Sequence, residues 1–159
     1  LSSGDPNRRS DLINDAINIG VDFIAITIPF FLIVNRKYDK FREDIKKNLD
    51  LCTSNKILLR YILEYRKFDH SLLAKICEIL VLGGIDIIYP STGFFIDNIE
   101  DNLIASSYLK EKTGINSIVN GNLWTKKQMD LVIKTNPYGF STNSCSNFSL
   151  IDPHVFKSS

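Results

Sequence analysis

Three segments of this chain share one pattern: Gly20-Val21-Asp22-Phe23-Ile24, Gly84-Ile85-Asp86-Ile87-Ile88 and Gly114-Ile115-Asn116-Ser117-Ile118. Each follows a helical spacing of apolar residues and opens an apolar strand pattern. Gly84 and Gly114 lie 30 residues apart, and Gly20 and Gly84 lie 64 apart, about two such units. A strand joined to its helix needs about 30 residues, so the chain reads as repeated βα units. The glycine has a physical reason. A helix that stops and turns into a strand often needs one residue in the left-handed region, which glycine enters without steric cost.

The helices between these strands are legible. Tyr38, Phe41, Ile45, Leu49 and Cys52 recur at spacings of three and four and form a one-sided apolar stripe. The charged residues from Arg36 to Asp50 are expected on its solvated face. Leu72, Leu73, Ile76, Cys77, Ile79 and Leu80 form a wider stripe, with Asp69 and Ser71 as candidate N-caps. Ile99, Leu103, Ile104 and Tyr108 mark the next helix, with Glu100 and Asp101 at its start and Lys110 and Lys112 at its end, as the helix dipole favours. Thr125 and Gln128 have capping-box spacing ahead of a helix through Lys134. An earlier helix is predicted from about Arg9 to Ile19.

Strands are predicted at Phe23–Ile28, Ile57–Leu63, Ile85–Tyr89, Ile115–Val119 and about Tyr138–Ser141. Their apolar runs are continuous, as in strands covered by helices on both faces. The apolar residues after the first strand, through Val34, read as a loop, since Pro29 interrupts the run and its length cannot span a bilayer. The order of elements implies a parallel sheet with right-handed crossovers. Five strands do not close a barrel, for which eight are usual. The fold class is therefore α/β, either an open sheet or a barrel lacking its first strands.

Composition limits function only loosely. Nineteen basic residues against 18 acidic ones give a net charge of +1, so electrostatics offer no general case for nucleic acid or an anionic membrane. Cys52, Cys77 and Cys145 are odd in number and form no CxxC pair, which suits a reducing compartment. His70 and His154 have no Cys or acidic partner at metal spacing, so no metal site is expected. The chain starts at Leu1, not Met, shows no signal-like n-region followed by an h-region, and is expected to be the remainder of a trimmed or longer precursor. One domain over residues 1–150 is expected, with a tail at 151–159. Around Pro153 that tail reads equally as an arm onto a partner or as a segment without fixed structure.

The five strand segments, taken in order, resemble a known family. Ala16 to Phe30 looks like the fourth-strand region of deoxyribose-phosphate aldolase, a class I aldolase with a TIM barrel. Ile57 to Glu64 resembles its fifth strand, which usually ends in Glu. Gly84-Ile85-Asp86-Ile87-Ile88-Tyr89-Pro90-Ser91-Thr92-Gly93 is similar to its sixth-strand signature, an apolar strand running into Lys-Thr-Ser-Thr-Gly. Asn120-Gly121-Asn122-Leu123-Trp124-Thr125 looks like the seventh-strand Gly-Gly-Val-Arg-Thr turn. Tyr138 to Ser144 is similar to the eighth-strand phosphate-side motif. The resemblance covers about Asn7 to Ser144 and implies a partial TIM barrel of strands four to eight, a degenerate and N-terminally shortened member.

The chemistry that the resemblance implies needs three groups. A strand-six lysine attacks an aldehyde to form a Schiff base, a second lysine lowers its pKa, and an aspartate shuttles protons. Tyr89 stands at the first of these positions, Ile118 at the second and Ala25 at the third. Asp22 matches an earlier, non-catalytic acid. A phenol forms no imine, and Ile and Ala carry no titrating proton. Lys56 sits at the N-terminal end of its strand, and Lys75, Lys110, Lys112, Lys126 and Lys127 belong to helices, away from the C-terminal strand ends where such a site lies. No catalytic residue and no cofactor are therefore expected. Tyr89, Ala25 and Ile118 are expected to point to the barrel centre, turning a former pocket into core. For phosphate, Gly121 is retained, whereas Asn122 and Trp124 replace a glycine and an arginine. Gly121, Asn122, Ser141, Thr142, Asn143 and Ser144 are the candidate vestigial donors, and the preferred reading is that they are loop residues with satisfied hydroxyls. Arg60 and Glu64 are read as a buried layer of paired charges, with a pair of ligand groups as the alternative.

The expected function is that of a catalytically inactive structural or interaction subunit of a larger, intracellular assembly, cytoplasmic or organellar, mitochondria included. Unpaired edges of an incomplete barrel invite other protein subunits. The alternatives are a deoxyribose-phosphate aldolase-type lyase and a non-catalytic protein binding a sugar phosphate weakly.

Overall fold

The computed structural model describes residues 6–93 and 98–142. Five strands form one sheet in chain order: β1 (Phe23–Thr27), β2 (Leu58–Ile62), β3 (Ile87–Tyr89), β4 (Asn116–Asn120) and β5 (Gly139–Ser141). Every neighbouring pair is parallel. The helices are α1 (Pro6–Ile19), α2 (Phe30–Val34), α3 (Tyr38–Ser54), α4 (His70–Leu82), α5 (Ile99–Thr113) and α6 (Lys126–Thr135). Among the described residues the sheet is open, with β1 and β5 at its edges.

The repeated glycines do what their spacing predicts. Gly20, Gly84 and Gly114 have φ of +83°, +88° and +78°, each at the passage from a helix towards a strand. The amide of Gly114 still donates to the Lys110 carbonyl at 2.9 Å, so the residue closes α5 while reversing the chain. The helix starts also follow local rules. Asp69 caps α4 by accepting from Leu72 N at 2.8 Å, whereas Ser71 lies inside that helix. Thr125 and Gln128 form the reciprocal capping box at the start of α6.

Two expectations are corrected. The apolar residues after β1 form the short helix α2, not a loop, because Pro29 precedes it and its carbonyl receives the amide of Leu32 at 2.9 Å. A proline there has no N–H to leave unpaired. Among the described residues, the sheet is also covered by helices on one face only. Burial alternates along β1, β2 and β4, with Ile24, Ile26, Leu59, Tyr61, Ser117 and Val119 buried and their neighbours half-buried or exposed. The second face mixes apolar Phe23, Ala25, Leu58 and Ile62 with Thr27 and Arg60, and its apolar members hide the period-two alternation in β1 and β2.

The core lies between that buried face and the helices. Phe41, Ile45 and Cys52 of α3, and Leu73, Ile76 and Leu80 of α4, pack with Ile26, Leu59 and Tyr61. A second cluster joins Ile99 and Leu103 of α5 to Val119, Met129 and Val132. Fully burying such a side chain contributes about 1.5–3 kcal/mol. The α3 face is not uniformly solvated where it is charged. Asp44 and Asn48 are buried, at 7 % and 1 % exposure. Asp44 Oδ2 lies 2.7 Å from Nη1 of buried Arg9, which ties α1 to α3. Asn48 Nδ2 approaches the Tyr61 hydroxyl at 3.5 Å. Burial, reinforced by the Asp44 charge, pushes that phenol far above its ordinary range.

Candidate functional site

Sites on parallel βα folds gather at the C-terminal ends of the strands. Here that end, together with the face of the sheet not covered by helices, carries the polar groups of interest. Side chains two residues apart share a face. Phe23, Ala25 and Thr27 of β1 therefore line up beside Leu58, Arg60 and Ile62 of β2, with Ala25 paired to Arg60 and Thr27 to Ile62. Ile62 pairs in turn with Tyr89 of β3. Ile118 lies one residue past Ser117, which pairs with Ile88, and it pairs with Gly139 of β5. The structure thus brings Ala25, Tyr89 and Ile118 onto one face.

That face is not the sealed apolar core expected for it. Phe23 is 48 % exposed and Leu58 61 %. Arg60 occupies its middle, with Nη1 donating to the Tyr89 hydroxyl at 3.1 Å. The guanidinium carbon lies 4.9 Å from the Phe23 ring centroid and 5.9 Å from that of Tyr89. The expected Arg60–Glu64 pair does not form. Glu64 lies beyond the end of β2 with φ of +52°, which breaks the alternation that would have kept the two side chains together. Its carboxylate instead accepts the Thr92 amide at 2.8 Å.

Glu64 thereby braces the turn after β3. Asn120 does so from the other side, donating from Nδ2 to the Ser91 carbonyl at 2.8 Å. The buried Asn102 of α5 donates to the Asn120 carbonyl at 2.5 Å. Gly93, with φ of +73°, donates its amide to the Ser91 hydroxyl at 3.2 Å. This bracing was missed from sequence. Its available signal was Asn102, a polar residue three positions after Ile99 on the apolar stripe of α5.

The candidate phosphate donors divide. The Gly121 amide donates to the Ser141 carbonyl at 3.2 Å, extending the β4–β5 pairing. The amides of Trp124 and Thr125 donate to Gln128 Oε1 at 2.9 and 3.2 Å. Asn122 and Ser141 are exposed, and Thr142 is half-buried just past β5. Asn143 and Ser144 lie outside the described residues.

No lysine lies in any of the five strands. Two lysines beyond those weighed in the sequence, Lys37 and Lys67, follow the C-terminal ends of β1 and β2 on connecting segments. Both are exposed, with ammonium groups over the rings of Phe31 (5.2 Å) and Phe30 (5.7 Å). Among the described residues no group of three or more His, Cys, Asp and Glu side chains is placed to hold a metal ion, and no helix is long and apolar enough to cross a membrane.

The sequence matches no known family model and no curated protein. Solved structures do resemble it. Over 93 % of this chain and 70 % of the other, it superposes on an aldolase designated QR15 with a TM-score of 0.76 at 17 % identity. Over 87 % of this chain and 60 % of the other, it superposes on the tetrameric deoxyribose phosphate aldolase from Aeropyrum pernix with a TM-score of 0.70 at 16 % identity. The fold is accordingly the α/β fold of these aldolases, a partial TIM barrel, and the chain spans less than two thirds of the second one's length.

Proposed function

We propose that this aldolase-like unit performs no aldol chemistry and serves as a structural or interaction subunit of an intracellular assembly. One observation carries the reading. Tyr89 stands at the end of β3, where the resemblance places the Schiff-base lysine, and Arg60 holds its phenol from the neighbouring strand. Imine formation needs a neutral primary amine at that point. Lys37 and Lys67 do not substitute for it, because each lies outside the strands with its ammonium over an exposed phenylalanine. A catalytic lysine instead sits in a desolvated pocket that lowers its pKa.

The interaction half of the proposal rests on exposed apolar surface. Phe23 and Leu58 stand open on the uncovered sheet face, and large exposed apolar groups on a folded unit mark contact surfaces. Partners of this kind are other protein subunits.

The direct test is incubation with deoxyribose 5-phosphate or acetaldehyde, borohydride reduction and intact-mass measurement. The expected result is an unmodified mass. A lysine adduct with measurable lyase turnover would establish the enzyme and remove the proposal. Light scattering after size exclusion tests the second half, with a defined assembly expected and a stable monomer counting against it. A thermal shift with deoxyribose 5-phosphate separates out a sugar-phosphate binder. The proposed subunit shows none, since the Gly121 amide is already donated to Ser141.

A further inference from the structure

Arg60 combines three properties. It is half-buried on the uncovered face of the sheet. Its guanidinium carbon lies 4.9 Å from the Phe23 ring centroid and 5.9 Å from that of Tyr89, within the range of cation–π attraction. Among the described residues, no carboxylate stands within ion-pair distance of it, although Arg9, Arg42 and Arg66 each have one.

The donor inventory sharpens this. A guanidinium carries five N–H donors, and the Tyr89 hydroxyl takes one of them, from Nη1. The Nε–H and Nη2–H edge forms a parallel fork that matches the two oxygens of a carboxylate. The Tyr89 oxygen accepts from Arg60, so its own proton is left to donate elsewhere, and no described residue accepts it. Among the described residues, the outer edge of this guanidinium thus has no side-chain acceptor. Across the register, Ala25 presents only a methyl group beside the guanidinium.

We propose that Arg60 and Tyr89 form a carboxylate-binding site on the uncovered face of the sheet. The Nε–H and Nη2–H edge holds the two oxygens, Tyr89 fixes the guanidinium through Nη1, and the apolar part of the acid rests on Phe23 and Leu58. A carboxylate fits better than a phosphate because the site offers a single cation amid apolar side chains. A phosphate dianion there would keep an uncompensated charge next to Ala25 and Ile62. The carboxylate comes from a small organic acid or from an Asp or Glu side chain of another polypeptide segment. Both present the same group to the same donors. The site is independent of the proposed loss of aldol chemistry and would stand if a lysine adduct were found.

The test has two arms. In the first, isobutyrate is titrated at constant ionic strength while the Arg60 Nε–H resonance is followed by NMR, with inorganic phosphate as comparison. Saturable binding on the order of millimolar is expected for an acid this small. Arg60→Met should abolish it and Tyr89→Phe should weaken it severalfold, with circular dichroism confirming that each variant is folded. In the second arm, Ala25→Asp supplies a carboxylate from the neighbouring strand. It should melt higher than Ala25→Asn, and the difference should vanish when Arg60→Met is added. Success of the first arm shows that a free acid suffices as ligand; success of the second alone shows that the site takes a carboxylate only when it is tethered, as a polypeptide side chain is. Failure of both, or phosphate binding as tightly as isobutyrate, overturns the proposal.

Discussion

Replacing Asp44 by alanine should be among the most damaging single changes in the helical layer. Arg9 Nη1 and Asp44 Oδ2 lie 2.7 Å apart with side chains 2 % and 5 % exposed, so both charges are out of water. Removing the carboxylate leaves the guanidinium buried without this anion. Breaking such a pair from one side costs about 3–5 kcal/mol, much of it the desolvation of the remaining charge. A domain of this size has a total stability of about 5–15 kcal/mol, so the loss is a large share. With a urea m-value of about 1.5 kcal/mol/M, the unfolding midpoint should fall by about 2–3 M. Added salt should recover little, because a buried pair is poorly screened. The double variant Arg9→Met/Asp44→Leu replaces both charges with apolar groups and should return to within about 1 kcal/mol of the parent. Equilibrium urea unfolding followed by circular dichroism measures all three proteins. An Asp44→Ala cost under about 1 kcal/mol would falsify the argument from burial. A double variant no better than the single one would show that shape, not charge, governs the contact.

Four further outcomes are expected. Gly114→Ala should cost about 1 kcal/mol, the backbone cost of a Cβ at positive φ, since no atom lies within 4 Å of that Cβ. Gly84→Ala should cost more in the same unfolding assay, because its Cβ would stand 3.2 Å from Leu49 Cδ2, and equal costs would show that packing plays no part. Burial pushes the Cys77 thiol up to about 12 and raises that of Cys52. Unfolded thiols ionise near about pH 8.5, so the folded chain holds protons that the unfolded one loses, and stability should decline as pH rises from there towards about 12. In a Cys145→Ser background, a thiol reagent at pH 8 should react only as fast as the protein opens; rapid modification of the folded protein would contradict the burial.

The glycines and the apolar stripes determined the order of elements, because both act locally. Positive φ at Gly20, Gly84 and Gly114 follows from a helix having to turn into a strand, and spacings of three and four follow from helix geometry. The same locality made the capping box at Thr125 and Gln128 legible. Ala25, Tyr89 and Ile118 could be placed on one sheet face because strand alternation is also local.

Contacts between distant segments were a different matter. Asp44 and Asn48 sit in a stretch that reads as solvated, and only the approach of Arg9 and Tyr61 shows why they are buried. Glu64 and Arg60 are four residues apart and look like partners until a left-handed residue at the end of β2 separates them. Arg60 then meets Tyr89, 29 residues away, and Glu64 meets Thr92, 28 residues away. The sequence by itself determined the βα repeats and the helix caps, because both follow from local spacing. Only the tertiary structure decided which polar groups face one another, because charge pairing depends on distances between strands that no local pattern encodes.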